Sequence, residues 1–370
     1  MPFQPATPRL LSCGCLTPFG DESATYDALM AGRVAIRAQP VLGSGGGDSV
    51  PLALLPGRLL DEELLPAWLP ALGAMAARAG LEGWGWGRRP VIITSSNFGV
   101  GSLYAHRHGD KDPRHLEHGT PTSSVELVRG SLGWGPDITV ISHACVSAHL
   151  GLLQASRRIA AGVADEVLVF SYDFLSPFVT GGFHALKILN EGFPAPYQVR
   201  ETGSIALGDG AAFAVLTAAR GDFQLIAQNV FNEHHHFTAN DPSGSGFHRV
   251  LQGIVPALQG RRVWLKGHGT GTLEAGRLEA EAFATLFPDS PLVGWKGSLG
   301  HTLGSCGLVE LAIVAQSMRT GRAPGTVGTR APCFTSNVAT EPFALGAADA
   351  AICAGNAFGG AHAVLALSHA

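Results

Sequence analysis

Apolar residues fall along this chain in short continuous runs bounded by glycine-rich turns. Five runs read as strands: Pro90 to Ser95, Ile138 to Ser142, Glu166 to Ser171, Arg262 to Lys266 and Ala351 to Gly355. None alternates apolar with polar, so both faces of each are expected under cover, as in a sheet packed between helices. Helical spacing follows two of the turns. Val146 to Ala161 carries Leu150, Leu153 and Ile159, and Leu303 to Met318 carries Leu308, Leu311, Ala312, Ala315 and Met318. Strand followed by helix, repeated, predicts an α/β chain.

The pattern also echoes itself. Ile138 to Ser142 runs through His143, Ala144 and Cys145 into a helix with Arg157 and Arg158, then Gly162. Leu292 to Thr302 runs into a helix with Arg319, then Gly321. Strand, small-residue turn, apolar helix, basic end and glycine in both places suggest a duplicated α/β unit. The stretches Leu42 to Pro51 and Tyr104 to Thr122 break the pattern and read as surface loops or caps.

Composition narrows the class. Only 15% of the 370 residues are charged while 46% are hydrophobic. That balance calls for extensive buried surface in a chain long enough to build it. A net charge of −4 gives no global pull toward nucleic acid or anionic membrane. No apolar run reaches membrane-spanning length, and the first twenty residues lack the basic and apolar regions of a signal peptide. The six cysteines show no paired spacing, so neither a disulfide framework nor a structural zinc site is expected; reduced thiols in a cytoplasmic protein are.

Candidate chemistry sits at four turns. Cys145 lies where a strand ends and a helix begins. Unpaired N–H groups and the helix dipole there would lower a thiol pKa and stabilise an oxyanion; a small buried hydrophobe is the plainer alternative. His268 stands in Lys266-Gly267-His268-Gly269-Thr270-Gly271-Thr272, exposed by flanking glycines beside threonine hydroxyls. Lys296 and His301 share the string Lys296 to Thr302; a buried lysine there needs a carboxylate, for which Glu310 and Glu279 are the candidates. Asn356 to His362 is a glycine-rich turn that offers a backbone N–H and an aromatic gate in Phe358. One cysteine with two separate histidines suits decarboxylative chemistry, because two neutral imidazoles can donate to an enolate while a thiolate holds an acyl group. The run His234 to His236 lacks partners for a closed metal shell, and no metal site is expected. Gly83 to Gly87 reads as loop packing, and Arg88 and Arg89 as a solvated pair.

Together these segments resemble the β-ketoacyl-(acyl-carrier-protein) synthases of the thiolase-like condensing enzymes. SHACVSAHLG is similar to the nucleophile elbow, HGTGT (His268 to Thr272) to the first histidine motif, and KGSLGHTLGSCGLVE (Lys296 to Glu310) to the lysine and second histidine motif. The resemblance extends over nearly the whole chain. GCLTPFG (Gly14 to Gly20) and AGRVAI (Ala31 to Ile36) look like the N-terminal strand and helix. RETGSIALGDGAAFAVL (Arg200 to Leu216) is similar to the midpoint motif, and NAFGGAHAVLAL (Asn356 to Leu367) to the C-terminal gate.

The resemblance implies two pseudo-repeated halves in α-β-α-β-α layers: residues 1–220 with the nucleophile cysteine and 221–370 with both histidines. It implies a decarboxylating condensing acyltransferase of fatty acid, polyene or polyketide assembly. The alternatives are a chain-length-factor-like partner subunit and an acyltransferase on the same fold. Catalytic roles fall to Cys145, His268, His301, Lys296 and Glu310. The N–H groups of Cys145 and Phe358 would form the oxyanion hole, and Thr270, Thr272, Phe358 and Gly359 would bind substrate. No bound cofactor is implied; substrates would arrive on the phosphopantetheine arm of an acyl carrier protein, and a homodimer or a heterodimer with a similar subunit is expected. The chain departs from the family at His143 and at Val146, where serine is common. Leu273-Glu274-Ala275-Gly276 replaces a Pro-Leu-Gly-Asp run, with Glu279 kept, and Asn356 stands where an aromatic is common.

Overall fold

The computed structural model describes residues 7–41, 48–60, 68–109, 111–189, 192–346 and 348–370. The chain begins with β1 (Arg9–Leu16), α1 (Glu22–Met30), β2 (Arg37–Pro40), β3 (Ser49–Ala53), α2 (Leu69–Arg78) and β4 (Val91–Thr94). Next come α3 (Val100–His108), α4 (Pro121–Ser131), β5 (Ile138–Ile141), α5 (Ser147–Ala160), β6 (Glu166–Asp173), α6 (Pro177–Ala185), β7 (Leu207–Gly208) and β8 (Gly210–Thr217). The second run has β9 (Phe223–Asn232), α7 (Ser245–Gln252), α8 (Val255–Leu258), β10 (Val263–Lys266), α9 (Leu273–Leu286) and β11 (Leu292–Val293). It ends with α10 (Lys296–Leu299), α11 (Cys306–Thr320), β12 (Arg322–Ala323), β13 (Phe343–Ala344), β14 (Ala350–Ala357) and β15 (Ala361–His369).

Ten strands form one sheet in the order β11-β10-β14-β15-β9-β1-β8-β6-β4-β5. Outward from the centre, β1-β8-β6-β4-β5 and β9-β15-β14-β10-β11 are the same arrangement twice. In each, the outer three strands are parallel and the inner connections antiparallel. Within the sheet the halves join where Arg9 and Leu10 pair with Gln224 and Phe223. Helices α5 and α11 lie between them, so the echo in the sequence corresponds to a spatial repeat.

Side-chain alternation along each strand separates the layers. Val167 and Val169 of β6 and Ala351 and Cys353 of β14 face the central pair, meeting Leu152 and Ala155 of α5 and Leu308, Leu311 and Ala315 of α11. Leu168 and Phe170 face outward to Leu72 and Met75 of α2 and Val125 and Val128 of α4. Ile352 and Leu265 face outward to Phe247 of α7 and Leu278 and Phe283 of α9. The result is helix, half-sheet, central helices, half-sheet, helix. α11 is apolar nearly all round its circumference, as a helix with sheet on two sides must be.

Three expectations change. β5 is not covered on both faces; it is the sheet edge, and Val140 is 44% exposed. The segment from Tyr104 is not all loop: α3 runs to His108, and a 3₁₀ turn at Pro113–His115 buries His115. Of the stretch Leu42 to Pro51, residues 42–47 lie outside the described residues, and Ser49 to Pro51 form the start of β3. Near β6, Trp84 is buried with the Arg89 guanidinium over its ring at 4.2 Å, and the solvent-exposed Arg88 and Arg89 pair with Asp165 and Glu166.

Candidate active site

Cys145 is delivered by the turn from β5 into α5. Ala144 takes a φ of +45°, a left-handed conformation that is costly for a residue with a Cβ. The turn is pinned by Ser147, whose Oγ accepts the His143 N–H at 2.7 Å and donates to the Ala144 carbonyl at 2.7 Å. The thiol is buried at the base of a cavity of about 230 Å³. Burial pushes its pKa well up, as does the neighbouring Cys306 thiol, with Lys296 pulling the other way. Removal from water thus works against the lowering expected from the helix N-terminus.

His268 follows β10 in a loop held by Glu279. The carboxylate accepts the His268 N–H at 2.6 Å, the Gly269 N–H at 3.0 Å and the Tyr197 hydroxyl at 2.7 Å. Gly267 permits this packing, because a Cβ there would lie 2.1 Å from the Tyr197 oxygen. On its other side the His268 carbonyl accepts Lys296 Nζ at 2.7 Å.

His301 is set between Gly300 (φ +70°) and the start of α11. Its N–H donates to the Ala206 carbonyl at 2.7 Å, and its carbonyl accepts the Gly208 N–H at 3.0 Å. The midpoint motif around Gly208 therefore holds the second histidine. Leu303 N–H donates to His301 Nδ1 at 3.2 Å. In the neutral ring the proton is then on Nε2, which has no partner among the described residues. The two imidazoles meet at 5.0 Å, nearly perpendicular. Burial holds both pKa values well below the ordinary histidine value, and Lys296 and Lys266 depress them further. Both rings are neutral donors over the physiological range.

Beneath them Glu310 resolves the open pairing of Lys296: it takes Lys296 Nζ on Oε1 at 2.6 Å, while Glu279 serves the His268 loop. Glu310 Oε2 forms an ion pair with a second buried lysine, Lys266. The sequence placed Lys266 in the motif string without a role; a lysine ending the run VWLK was its only signal. Burial pulls the Lys266 pKa down, while the carboxylate keeps that of Lys296 up. Tyr197 and Cys306, which donates to the Cys145 carbonyl at 3.3 Å, carried no sequence signal.

The cavity brings together Cys145, His268, His301, Thr270, Thr272 and Phe358. The two threonine hydroxyls are 3.1 Å apart, and Phe358 stacks on Phe183 at 5.7 Å. Gly359 departs from its expected place: its N–H is taken by the Phe237 carbonyl at 2.7 Å, and Gly360 lines the cavity instead. His234 to His236 are exposed beside it, and Glu233 turns away from them to His362. Among the described residues no three His, Cys, Asp or Glu side chains gather as a metal site, and no helix is long and apolar enough to cross a membrane.

Residues 224–330 match the sequence profile of the β-ketoacyl synthase C-terminal domain. The chain is 29% identical over 280 residues to the tetracenomycin polyketide synthase ketoacyl synthase alpha subunit of Streptomyces glaucescens, covering 66% of this chain and 63% of that protein. It is 25% identical over 251 residues to the 3-oxoacyl-[acyl-carrier-protein] synthase 2 of Vibrio cholerae, covering 60% of each. The matched stretch thus spans less than two thirds of these relatives' length. The fold superposes on a β-ketoacyl synthase from Burkholderia phymatum with a TM-score of 0.84 at 21% identity, over 99% of this chain and 100% of that one. With the nucleophile elbow and both histidine turns converging on one cavity inside this fold, the chain is similar to the β-ketoacyl synthases in its C-terminal profile, in its motifs and in its fold.

Proposed function

We propose that the protein catalyses decarboxylative Claisen condensation between an acyl group held on Cys145 and a malonyl thioester on an acyl carrier protein. The observation that carries this reading is the convergence of one thiol and two neutral imidazoles on a single cavity, with Nε2–H of His301 free to donate. Residues 1–220 form the half with the nucleophile, and 221–370 the half with both histidines.

In the first step the Cys145 sulfur attacks the acyl thioester. The carbon–sulfur bond to the carrier breaks, and the thiol proton ends on the departing pantetheine sulfur. The N–H groups of Cys145 and Phe358 hold the oxyanion. Malonyl thioester then enters with its carbonyl oxygen toward His268 and His301. The carboxylate leaves as CO₂, and the electron pair becomes an enolate whose oxygen those rings hold. The enolate carbon attacks the Cys145 thioester, the β-ketoacyl product departs on the carrier, and the cysteine sulfur regains a proton from solvent. Neutral imidazoles suit this better than imidazolium, because they donate without protonating the enolate carbon. Lys296 and Glu310 act through the His268 carbonyl, as positioning groups. Thr270 and Thr272 offer hydroxyls to the pantetheine arm.

A second subunit, identical or similar, is supported by the uncovered edge of β5. The test is intact-protein mass after incubation with a panel of acyl-loaded carrier proteins, wild type beside Cys145→Ala. An adduct on wild type alone supports the reading. No adduct with any substrate points to a non-catalytic partner subunit. An adduct without malonyl decarboxylation points to an acyltransferase that uses another acceptor.

A further inference from the structure

Asn356 lines the same cavity as Cys145, His268 and His301, and it is the visible end of a buried chain of polar groups. Its Nδ2 lies 3.2 Å from Nδ1 of His362, its cross-strand partner on β15. His362 Nε2 lies 3.0 Å from Glu233 Oε2, and both of those side chains are at least 98% buried. The other Glu233 oxygen accepts the Asp241 N–H at 2.9 Å and Asn240 Nδ2 at 3.4 Å, and Asn240 lines the cavity too. Phe247 packs edge-on against the His362 ring at 4.5 Å. A Cβ on Gly246 would fall 2.2 Å from Glu233 Oε2 and 2.3 Å from His362 Nε2, so the chain of groups fits only beneath a bare glycine.

The direction of every hydrogen bond follows from the far end. A carboxylate only accepts, so the proton facing Glu233 sits on His362 Nε2. Burial disfavours a second proton on that ring, which leaves Nδ1 as an acceptor. Asn356 must therefore donate with Nδ2, which fixes its amide orientation. Its Oδ1 has no partner among the described residues and is the atom left for the cavity. The same cavity also has apolar wall, from Phe183, Ile188, Ile205 and Ala357. Asn356 and Cys145 line this one cavity, so the acceptor shares the space of the sulfur that would hold the acyl group. A plain alkyl chain that displaces water there leaves the carbonyl unpaired, whereas a chain with an O–H satisfies it.

Resting on the acyl-loading reading above, we infer that Asn356, oriented by His362 and Glu233, is a specificity-determining residue that selects acyl thioesters bearing a hydroxyl near the thioester carbonyl.

Acylation of wild type and Asn356→Leu is followed by intact mass with the pantetheine thioesters of butyrate, 3-hydroxybutyrate and 4-hydroxybutyrate. Wild type is expected to load one hydroxylated thioester about tenfold faster than butyrate, the worth of one neutral hydrogen bond, and Asn356→Leu to lose that preference while still loading butyrate. Equal loading of all three by wild type overturns the inference and leaves the acyl-loading reading intact. So does a uniform loss across all three in the variant, which would assign the acceptor to the pantetheine amides common to them. No adduct on wild type overturns the acyl-loading reading and this inference with it. Independently of activity, the ¹⁵N spectrum of the histidine side chains of wild type should show His362 as the Nε2–H tautomer with Nδ1 accepting. A proton on Nδ1 would turn the Asn356 amide the other way and sink the proposal even where Asn356→Leu fails to fold.

Discussion

The two halves of the sheet use the same device, an outer strand turning into a central helix, to opposite ends. The turn from β5 to α5 is short. It strains one residue, Ala144, and presents a single uncharged thiol. The turn from β11 to α11 is longer, passing through α10, Gly300 and a 3₁₀ turn. It presents His301 on its surface and plants Lys296 and Glu310 underneath. On the proposed reading the repeat separates the labour: one copy would hold the group that forms a bond, the other the groups that set charge. The edges differ as well. The outer side of β11 is closed by the chain itself, since Leu292 donates to the Asn337 carbonyl at 2.8 Å and accepts the Ala339 N–H at 2.9 Å. Among the described residues nothing pairs with the outer side of β5.

If the labour is divided this way, the halves should fail separately. Cys145→Ala is expected to lose the acyl adduct completely while malonyl decarboxylation remains measurable. His301→Ala is expected to keep the adduct and lose decarboxylation by about 10²-fold or more, the usual cost of one donor at a developing oxyanion. Carbon dioxide release and intact mass, read on both variants, check this. Loss of both steps in both variants would mean that the halves act as one unit.

The next largest effect concerns charge in the second turn. Glu310→Gln strands two buried lysines and should cost about 3–5 kcal/mol of folding stability, the range for breaking a buried pair. Lys266→Met should cost far less, because Glu310 keeps Lys296 and burial already weakens the hold of Lys266 on its proton. Urea denaturation of the two variants measures the gap. Equal losses would mean that Lys266, not Lys296, is the carboxylate's principal partner.

Much of this was legible in the sequence because each motif is local. An apolar strand, a small-residue turn and a helix are written in consecutive residues, so Cys145, His268 and His301 stand out, and two copies of the pattern foretell the repeat. What was hidden is pairwise and distant. The residues alone left Glu310 and Glu279 both open for Lys296; the resemblance implied Glu310, and the choice depends on which face of α11 meets the end of β10. Lys266 reads as the end of a strand until Glu310 arrives opposite. The thiol pKa was misjudged because a helix start is visible in sequence while the depth of burial is not. β5 was expected under cover because ITVI is largely apolar, but a strand at the sheet edge carries the same pattern as a buried one.

Acid should distinguish the central helices from the strands beside them. His149 on α5 is buried with both ring nitrogens unpartnered, and its pKa is pushed down to about 4, chiefly by burial. The unfolded chain takes that proton near 6.5 and the folded chain does not. Its contribution to stability is therefore complete above 6.5 and is lost as pH falls toward 4, by up to about 3 kcal/mol. Asp173 on β6 has the opposite sign: burial raises its pKa to about 7, so the folded state binds that proton more tightly and gains stability over much of the same range. The net slope of the wild type mixes the two. Denaturation of His149→Leu at pH 7 and pH 5 separates them. Going from pH 7 to pH 5 should favour folding more in the variant than in wild type; an identical change in both would clear His149 of the effect.

The smallest effect tests the unequal edges. Where the outer side of β11 is closed by residues 337–339, an added charge there would meet the protein's own backbone. On β5, Val140 faces solvent in the isolated chain and would face a partner in an assembly. Val140→Lys should therefore leave monomer stability within about 0.5 kcal/mol, as for an ordinary surface change, yet weaken subunit association about tenfold through one buried, unpaired ammonium. Sedimentation velocity over a concentration series reads the association directly. An unchanged dimer would show that β5 is not where a second subunit sits. A monomer at every concentration for wild type would show that the chain does not pair with itself, so that a similar but distinct subunit becomes the partner to seek on this edge.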